Sequence, residues 1–480
     1  MVTSEMPSVK GYSKLNDNEG SLPTELEFEL TDFDVEPMRK ENTVEPRYNE
    51  VEANSNEHSI VTKLIRENEK KSTMRWAFMN MANSILGAGV IGQPFAIRNC
   101  GIIGGLMAFI ALSFLVDWTL RLIVINLTVA SKKTYQDTVE HVMGRKGRYL
   151  VLFSNGLFAF GGCVGFCIII GDTIPQVLRA FLGSSHFLLR RNVIITLVTL
   201  FISYPLSLQK NIEALSRASF LALLSMAMIV FSVIIRGPMV ERTLKGSKLT
   251  LENIFFTPRI FRGISVISFA LVCHHNTSFI FFSMKNRSLQ KFSRLTHISV
   301  CVSMIFCMVL GYSGYSVFRD ATKGNILNNF PENDIMINIA RLCFGFNMLT
   351  TFPLEIFVLR DVIGALFISQ NSTDNVESDS MSAVRHFVIT TTCVFSTMSI
   401  ALTTCNLGAL FELIGATTAS TMAYILPPYT NLILTKEAKT MRQKTPHYMS
   451  IAFGFLIMIV SSTQTITESL RDGEQKHCNF

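Results

Sequence analysis

The sequence has few charged residues. Asp, Glu, Lys and Arg make up 16% of its 480 residues, whereas about 25% is usual for soluble domains. Hydrophobic residues account for 49% of the chain, and the mean hydropathy is +0.34. This composition excludes a disordered protein, a coiled coil, a collagen and a disulfide scaffold, and it argues against a soluble enzyme. It is typical of a polytopic membrane protein.

An early apolar run is also missing. Residues 1–60 contain no stretch of the kind that a secretory signal peptide needs. Residues 1–72 carry 9 Lys and Arg against 16 Asp and Glu, and they offer too little apolar surface to offset the entropy of ordering. We therefore predict a disordered acidic tail at 1–72, a transmembrane domain at 73–466 and a short C-terminal tail at 467–480.

Eleven apolar segments are long enough to cross a bilayer, which takes about 20 residues. Their approximate bounds are 75–98, 102–130, 149–182, 192–209, 214–236, 262–284, 296–318, 335–363, 386–403, 407–434 and 447–466. Basic residues gather just before the first segment and in alternate loops, which places the N-terminus in the cytosol. The loop 236–262, rich in Arg and Lys, goes against this rule.

The first segment carries an interruption at its centre. Gly87, Ala88 and Gly89 follow one another, and Gly92 and Pro94 come soon after. Unwound backbone inside a bilayer is tolerated only where protein or a polar cavity surrounds it. The half-helix that starts near Gly89 would aim free N–H groups and its positive dipole end at an anion such as a carboxylate. Close helix packing would use the same glycines, so both interpretations stay open.

The sixth segment is interrupted by a polar run at 273–278, which contains His274 and His275. Ionisable groups at that depth usually face a bundle interior or a wet cavity. Either histidine could carry a proton or be a satisfied interior residue. Breaks in segments 1 and 6 are typical of two inverted five-helix repeats with a site between them. We therefore predict an all-α polytopic membrane protein of about 11 transmembrane helices, a 5+5 inverted repeat plus one extra helix.

The residues at 83–96, which read NSILGAGVIGQPFA, resemble the first-helix signature of the amino acid/auxin permease family. Within it, the resemblance is strongest to the fungal vacuolar amino acid transporters, with the animal sodium-coupled neutral amino acid transporters as relatives. Parts of the family's sixth, eighth and tenth helices resemble residues 269–274, 350–360, 415–417 and 425–427. Together these motifs span about 75–466.

This resemblance implies a LeuT-like secondary transporter of amino acids, with neutral ones expected, in an intracellular membrane. The vacuole is the first expectation and the endoplasmic reticulum the second. The implied partners are the amino acid, a coupling ion and the lipid bilayer, and no nucleic acid. The backbone of the two breaks would hold the substrate, and we expect a side chain at Gly89 to crowd it. The candidate substrate-binding residues are Asn83, Gly87, Ala88, Gly89, Phe269, Cys273 and His274.

The resemblance also bears on the coupling ion. In sodium-coupled members an Asn of helix 1 and a Thr of helix 8 serve the ion, and the matching positions are Asn83 and Thr351. Fungal vacuolar members are proton-coupled, which favours a proton and makes His274 and Glu355 candidates. Glu355 precedes Arg360 by five residues, so a structural pair with that arginine near the inner end is the alternative.

Paired nucleophiles, acid dyads and metal-ligand spacings are absent from the sequence. We therefore expect no enzyme activity, no catalytic residue, no metal and no cofactor. Most of the ten cysteines, Cys405 among them, lie in apolar segments, where we expect small packing residues rather than disulfides. An amino-acid-sensing receptor that binds without net transport is the alternative function, which the long N-terminal tail would suit.

Overall fold

The computed structural model describes residues 71–183, 187–209, 219–367, 383–436 and 438–472. The predicted tail at 1–72 lies outside the described residues except for its last two positions. Residues 473–480 of the predicted C-terminal tail also lie outside them, and the described part, 467–472, continues the last helix.

Eleven membrane segments, α1 to α11, follow one another along the described chain. Their bounds are α1a Met74–Ile85, a 3₁₀ turn Ala88–Gly92 and α1b Gln93–Cys100; α2 Ile102–Val129; α3 Tyr135–Leu182; α4 Arg191–Val198 with Thr199–Ser203 and Tyr204–Ser207; α5 Ser219–Arg236; α6a Ile260–Leu271, a 3₁₀ turn His274–Asn276 and α6b Thr277–Ser283; α7 Leu289–Phe318; α8 Ile335–Phe367; α9 Ala383–Thr403; α10 Leu407–Ile414, Gly415–Ala419, Thr421–Ile425 and Leu426–Leu434; and α11 Met441–Asp472.

Nine helices within the described residues are long and apolar enough to cross a membrane. The other two of the eleven predicted segments are α1, which is divided by its break, and α4, which is shorter. Both predicted interruptions are present, because the α-helical backbone stops at Ile85 in α1 and at Leu271 in α6. We call the end of the bundle where α1a begins the inner end, after the charge-based prediction, and the opposite end the outer end.

The third segment begins earlier than its sequence indicates. Helix α3 starts at Tyr135 instead of near 149, and it bends at Gly144, where φ is 66° and ψ is −164°. Positive φ costs glycine little because it has no Cβ. The residues before Gly144 are thus a short surface helix that turns into the membrane segment, and their polar composition hid them from a search for apolar runs.

The core of the bundle is formed by α3 packed on α8, and by α1b packed on α6a. The middle of α10 is π-helical. There Gly415 lies so close to α6a that a Cβ on it would clash with the carbonyl oxygen of Ser265. Helix α6a is therefore packed between α1b and α10, and α1 packs on its other side against α7.

One cysteine departs from the expectation. Eight cysteines are free, and most of these are buried, but Cys405 is disulfide-bonded. The packing prediction is wrong for Cys405 because this residue lies in the turn between the end of α9 at Thr403 and the start of α10 at Leu407, outside the packed helices.

A buried ion pair fixes the outer corner between α3 and α4. The Arg191 Nε atom lies 3.2 Å from Asp172 Oδ1, and both side chains are almost completely buried. Arg191 also donates to the carbonyl oxygens of Ala401 and Thr404, at the end of α9, while Asn328 donates to the second Asp172 oxygen at 2.9 Å. The pair therefore joins three membrane helices and the loop after α7.

Removing one partner of this pair leaves a buried charge. We expect Asp172→Ala to destabilise the protein by about 3–5 kcal/mol, because the Arg191 guanidinium group loses its counter-charge. Thermal unfolding in detergent measures the effect. The double variant Asp172→Ala/Arg191→Met is the control and should regain much of the lost stability. A single variant as stable as the unsubstituted protein would contradict the prediction.

Candidate functional site

The two breaks lie side by side. Asn276, in the turn of α6, donates from Nδ2 to the Ser84 hydroxyl oxygen, at the end of α1a, over 2.9 Å. On the outer side of the breaks, Gly89 lies against Ala270, and a Cβ at Gly89 would come within 2.8 Å of the Ala270 Cα atom. The breaks therefore meet at one level of the bundle, as the placement in segments 1 and 6 predicts.

At both breaks, some backbone N–H groups have no hydrogen-bond acceptor among the described residues. Within the described residues, three consecutive N–H groups of each break enter no helical hydrogen bond, and they belong to Gly87, Ala88 and Gly89 and to Cys273, His274 and His275. Each set lies where a half-helix begins, so the positive end of a helix dipole adds to the unpaired donors. The arrangement is able to bind an anionic group of a small ligand.

The glycines of α1 have different surroundings. Gly87 is half-buried, and a Cβ there would meet nothing within 4 Å, whereas Gly89 is tightly packed on α6a. Gln93 fixes the turn between them and α1b, because its Nε2 donates to the Gly89 carbonyl oxygen at 2.7 Å. A side chain at Gly89 would thus strike α6a. The expectation that it would also crowd a bound ligand stays a prediction. Gly87 is the glycine that borders open space.

The two histidines of α6 point in different directions. His274 is fully buried, and its Nε2 lies 2.9 Å from the Thr119 hydroxyl oxygen on α2. His275 faces the opposite way, with its Nε2 2.9 Å from Asn276 Nδ2 and its ring 5.0 Å from the ring of Phe158 on α3. His275, which was not among the candidate site residues, is therefore the histidine that borders the breaks.

Glu355 lies opposite His275. The distance from His275 Nε2 to Glu355 Oε1 is 4.0 Å, and the other Glu355 oxygen has no hydrogen-bond donor within the described residues. Arg360 points elsewhere and donates to the Ser207 carbonyl oxygen. The structural pairing of Glu355 with Arg360 is wrong, because five residues on a helix place the two side chains about 140° apart.

The two sodium-site candidates, Asn83 and Thr351, are not bonded to each other in the part of the chain that the structure describes. Asn83 is half-buried and makes no side-chain hydrogen bond within the described residues. The Thr351 hydroxyl group donates to the Asn347 carbonyl oxygen of its own helix at 2.8 Å. No group of three or more His, Cys, Asp or Glu side chains that could hold a metal occurs in the described part of the chain.

Aromatic rings close the site toward the outer end. Phe269 on α6a stacks on Phe411 of α10 with ring centroids 4.6 Å apart, and Phe158 lies 5.5 Å from Phe269. Cys273 is fully buried behind them. On the inner side, by contrast, Asn83 and Gly87 remain half-buried. The outer side of the breaks is therefore lined by packed aromatic rings, and two residues on their inner side are half-buried.

A buried charged network lies outside the aromatic layer. Glu412 of α10 is fully buried and accepts from Arg262 Nε on α6a at 2.8 Å. The same carboxylate accepts from Asn99 of α1b at 3.2 Å and from the Thr465 hydroxyl group of α11 at 2.8 Å. Four helices therefore meet at one carboxylate at the outer end.

Comparisons with known proteins agree with this geometry. A family model described as transmembrane amino acid transporter protein matches residues 70–467. The chain is 60% identical over 484 residues to the vacuolar amino acid transporter 2 of Saccharomyces cerevisiae, covering 99% of this chain and 100% of that protein. It is 30% identical over 392 residues to the putative sodium-coupled neutral amino acid transporter 11 of Danio rerio, covering 81% of this chain and 85% of that protein.

The fold has a counterpart among solved structures. A substrate-bound, outward-open Na⁺-coupled sialic acid symporter superimposes with a TM-score of 0.53 at 14% sequence identity, over 86% of this chain and 92% of that chain. That symporter has the LeuT fold, so the likeness confirms the predicted fold class.

Valine substitutions at Gly87 and Gly89 should show which of the two glycines is packed against a neighbour and which borders open space. We expect Gly89→Val to lower stability by about 1–3 kcal/mol or more, because the added atoms must displace Ala270. Gly87→Val, the matched control, has room for its side chain and should unfold close to the temperature of the unsubstituted protein. Equal unfolding temperatures for the two variants would refute the packing assigned to Gly89.

Proposed function

Because the chain belongs to the transmembrane amino acid transporter family, we propose that it carries neutral amino acids across the vacuolar membrane. Transport would proceed by alternating access around the breaks in α1 and α6, with a proton as the coupling ion. The observation that carries this proposal is the pair of neighbouring breaks, whose six N–H groups have no hydrogen-bond acceptor among the described residues. No enzymatic step enters this function.

The two charged groups of an amino acid would both find binding partners at the breaks. An amino acid carries a carboxylate, which the unpaired N–H groups and the dipole ends of the half-helices would bind. Its ammonium group would find carbonyl oxygens released by the same unwound segments, as well as the side chain of Asn83, which makes no other side-chain bond within the described residues. Recognition through backbone groups fits a transporter that accepts several neutral amino acids.

Glu355 and His275 support a proton as the coupling ion. A charge buried without a partner is costly. The Glu355 side chain is 17% exposed, but its Oε2 atom is buried without a donor, and His275, 4.0 Å from Oε1, is the one basic side chain that the described residues place beside it. His275 Nε2 accepts a hydrogen bond from Asn276, which in turn donates to Ser84 of α1a. A proton on His275 Nε2 would break the bond from Asn276 and favour contact with Glu355. Proton binding would therefore alter the contact between the two breaks, to which Asn276 contributes.

Two observations support the location and orientation. The relative with 60% identity is named as a vacuolar transporter. An outer end facing the vacuolar lumen and a cytosolic inner end agree with the distribution of basic residues.

The direct test is uptake by purified protein in liposomes. We expect flux of labelled neutral amino acids when a proton gradient is imposed, and little stimulation by a sodium gradient of equal size. Protein-free liposomes are the control. If sodium alone stimulates uptake, sodium and not the proton is the coupling ion, and Asn83 and Thr351 become the candidates for its binding site. Absence of flux under both gradients, with amino acid binding retained, would favour the sensing receptor.

The role of Glu355 can be tested separately. We expect Glu355→Gln to abolish the acceleration of uptake by a proton gradient, because the amide cannot exchange a proton, while exchange of amino acids across the membrane continues. Asp361→Asn is the matched control, since Asp361 is exposed on the same helix, and it should keep the acceleration. A Glu355→Gln protein still driven by protons would remove Glu355 from the coupling mechanism.

A further inference from the structure

A charged cluster lies at the surface where α2 and α7 meet. The Asp117 Oδ2 atom on α2 lies 3.0 Å from Arg121 Nη2 on the same helix and 3.0 Å from His297 Nδ1 on α7. The His297 side chain is 54% exposed and that of Arg121 is 34% exposed. Charged groups that face hydrocarbon are costly and rare in membrane helices, so an exposed cluster on two such helices needs an explanation.

His297 belongs to a basic row on one face of α7. Lys291, Arg294 and His297 follow one another at intervals of three residues, which places them on neighbouring positions of the helix surface, and all three are exposed. No Asp or Glu occurs in residues 253–319. Asp117 of α2 is the acid that contacts this row in the described part of the chain. The row therefore keeps an excess of positive charge.

The basic row begins at the inner end of the bundle. The Lys285 N–H group, in the turn before α7, donates to the Ser72 carbonyl oxygen, just before α1a, at 2.9 Å. Helix α7 starts at Leu289, so Lys291 lies close to this end. His297 follows about 9 Å farther along the helix axis. The row thus runs from the inner end of α7 into its membrane-spanning part.

Beyond the basic row, the exposed face of α7 is apolar. Ile298 and Ile305 are 54% and 49% exposed, and Cys301 between them is exposed as well. Basic groups at the cytoplasmic side of membrane helices attract the headgroups of anionic lipids. A basic row followed by an apolar face matches the two parts of such a lipid, the charged headgroup and the acyl chains.

We propose that the exposed faces of α2 and α7 bind an anionic phospholipid of the leaflet at the inner end. Its phosphate group lies against Lys291, Arg294 and Arg121, and its acyl chains follow the apolar face of α7. Asp117 brings Arg121 and His297 together by contacting both through one oxygen atom. Because α7 also packs on α1a, the lipid borders the helix that leads to the first break.

Lipid binding to the purified protein in detergent tests this site. We expect phosphatidylserine to raise the unfolding temperature, whereas phosphatidylcholine, which has no net charge, and inorganic phosphate, which has no acyl chains, should have little effect. In Lys291→Gln/Arg294→Gln the phosphatidylserine concentration for half of the effect should rise about 25-fold, since each basic residue near an anionic lipid contributes about fivefold. Without lipid this variant should unfold near the temperature of the unsubstituted protein, because both side chains are exposed.

The matched control is Lys436→Gln/Arg442→Gln. It removes two exposed positive charges from the segment between α10 and α11, likewise at the inner end, and it should keep the response to phosphatidylserine. Equal weakening by the two double variants would overturn the site, because net charge alone would then explain the binding. Equal stabilisation by phosphatidylserine and phosphatidylcholine, or by inorganic phosphate, would also overturn it. The measurement requires no transport, so its outcome is independent of the proposed function.

Discussion

Inside a bilayer every backbone N–H and C=O group needs a partner, and this requirement governs how the two broken helices are arranged. Neither break would be tolerated against lipid. Each is supported by the other, through the bond from Asn276 to Ser84 and the contact of Gly89 with Ala270, while Gln93 satisfies the Gly89 carbonyl oxygen. The N–H groups that remain are the ones a bound amino acid would satisfy, so the same constraint shapes the fold and the proposed binding site.

The breaks also divide the bundle into parts that can move separately. At the outer end, Glu412 joins α1b, α6a, α10 and α11 through one buried carboxylate. At the inner end, the backbone of Ser72 bonds to Ser283 and Lys285, so the starts of α1a and the end of α6b are tied together. The breaks lie between these two assemblies. Alternating access can therefore use the unwound segments as hinges while each assembly moves as a unit.

The sequence predicted the architecture well because hydrophobic length and helix-breaking residues act locally. All eleven segments and both breaks were recognisable from apolar runs, from Gly87 and Gly89, and from the polar run in α6. The directions of the side chains at the break in α6 could not be recognised from the sequence. Across a 3₁₀ turn the 100° step of an α-helix no longer holds, so nothing indicated that His275 rather than His274 faces Glu355. The different surroundings of Gly87 and Gly89 were equally hidden, because a glycine that packs and one that borders space look identical in a sequence.

The buried acids give the strongest reason to treat Glu355 as functional. Asp117, Asp172, Asp334 and Glu412 are all buried, and each lies within 3.2 Å of an arginine nitrogen. Each of these four buried carboxylates is thus paired with an arginine, because a buried carboxylate without a counter-charge is costly. Glu355, the acid beside the breaks, has no arginine or lysine within that distance in the described part of the chain, and His275 Nε2 lies 4.0 Å from its Oε1 atom. Stability alone gives no reason to retain an uncompensated acid there, whereas exchange of a proton at the hinge does.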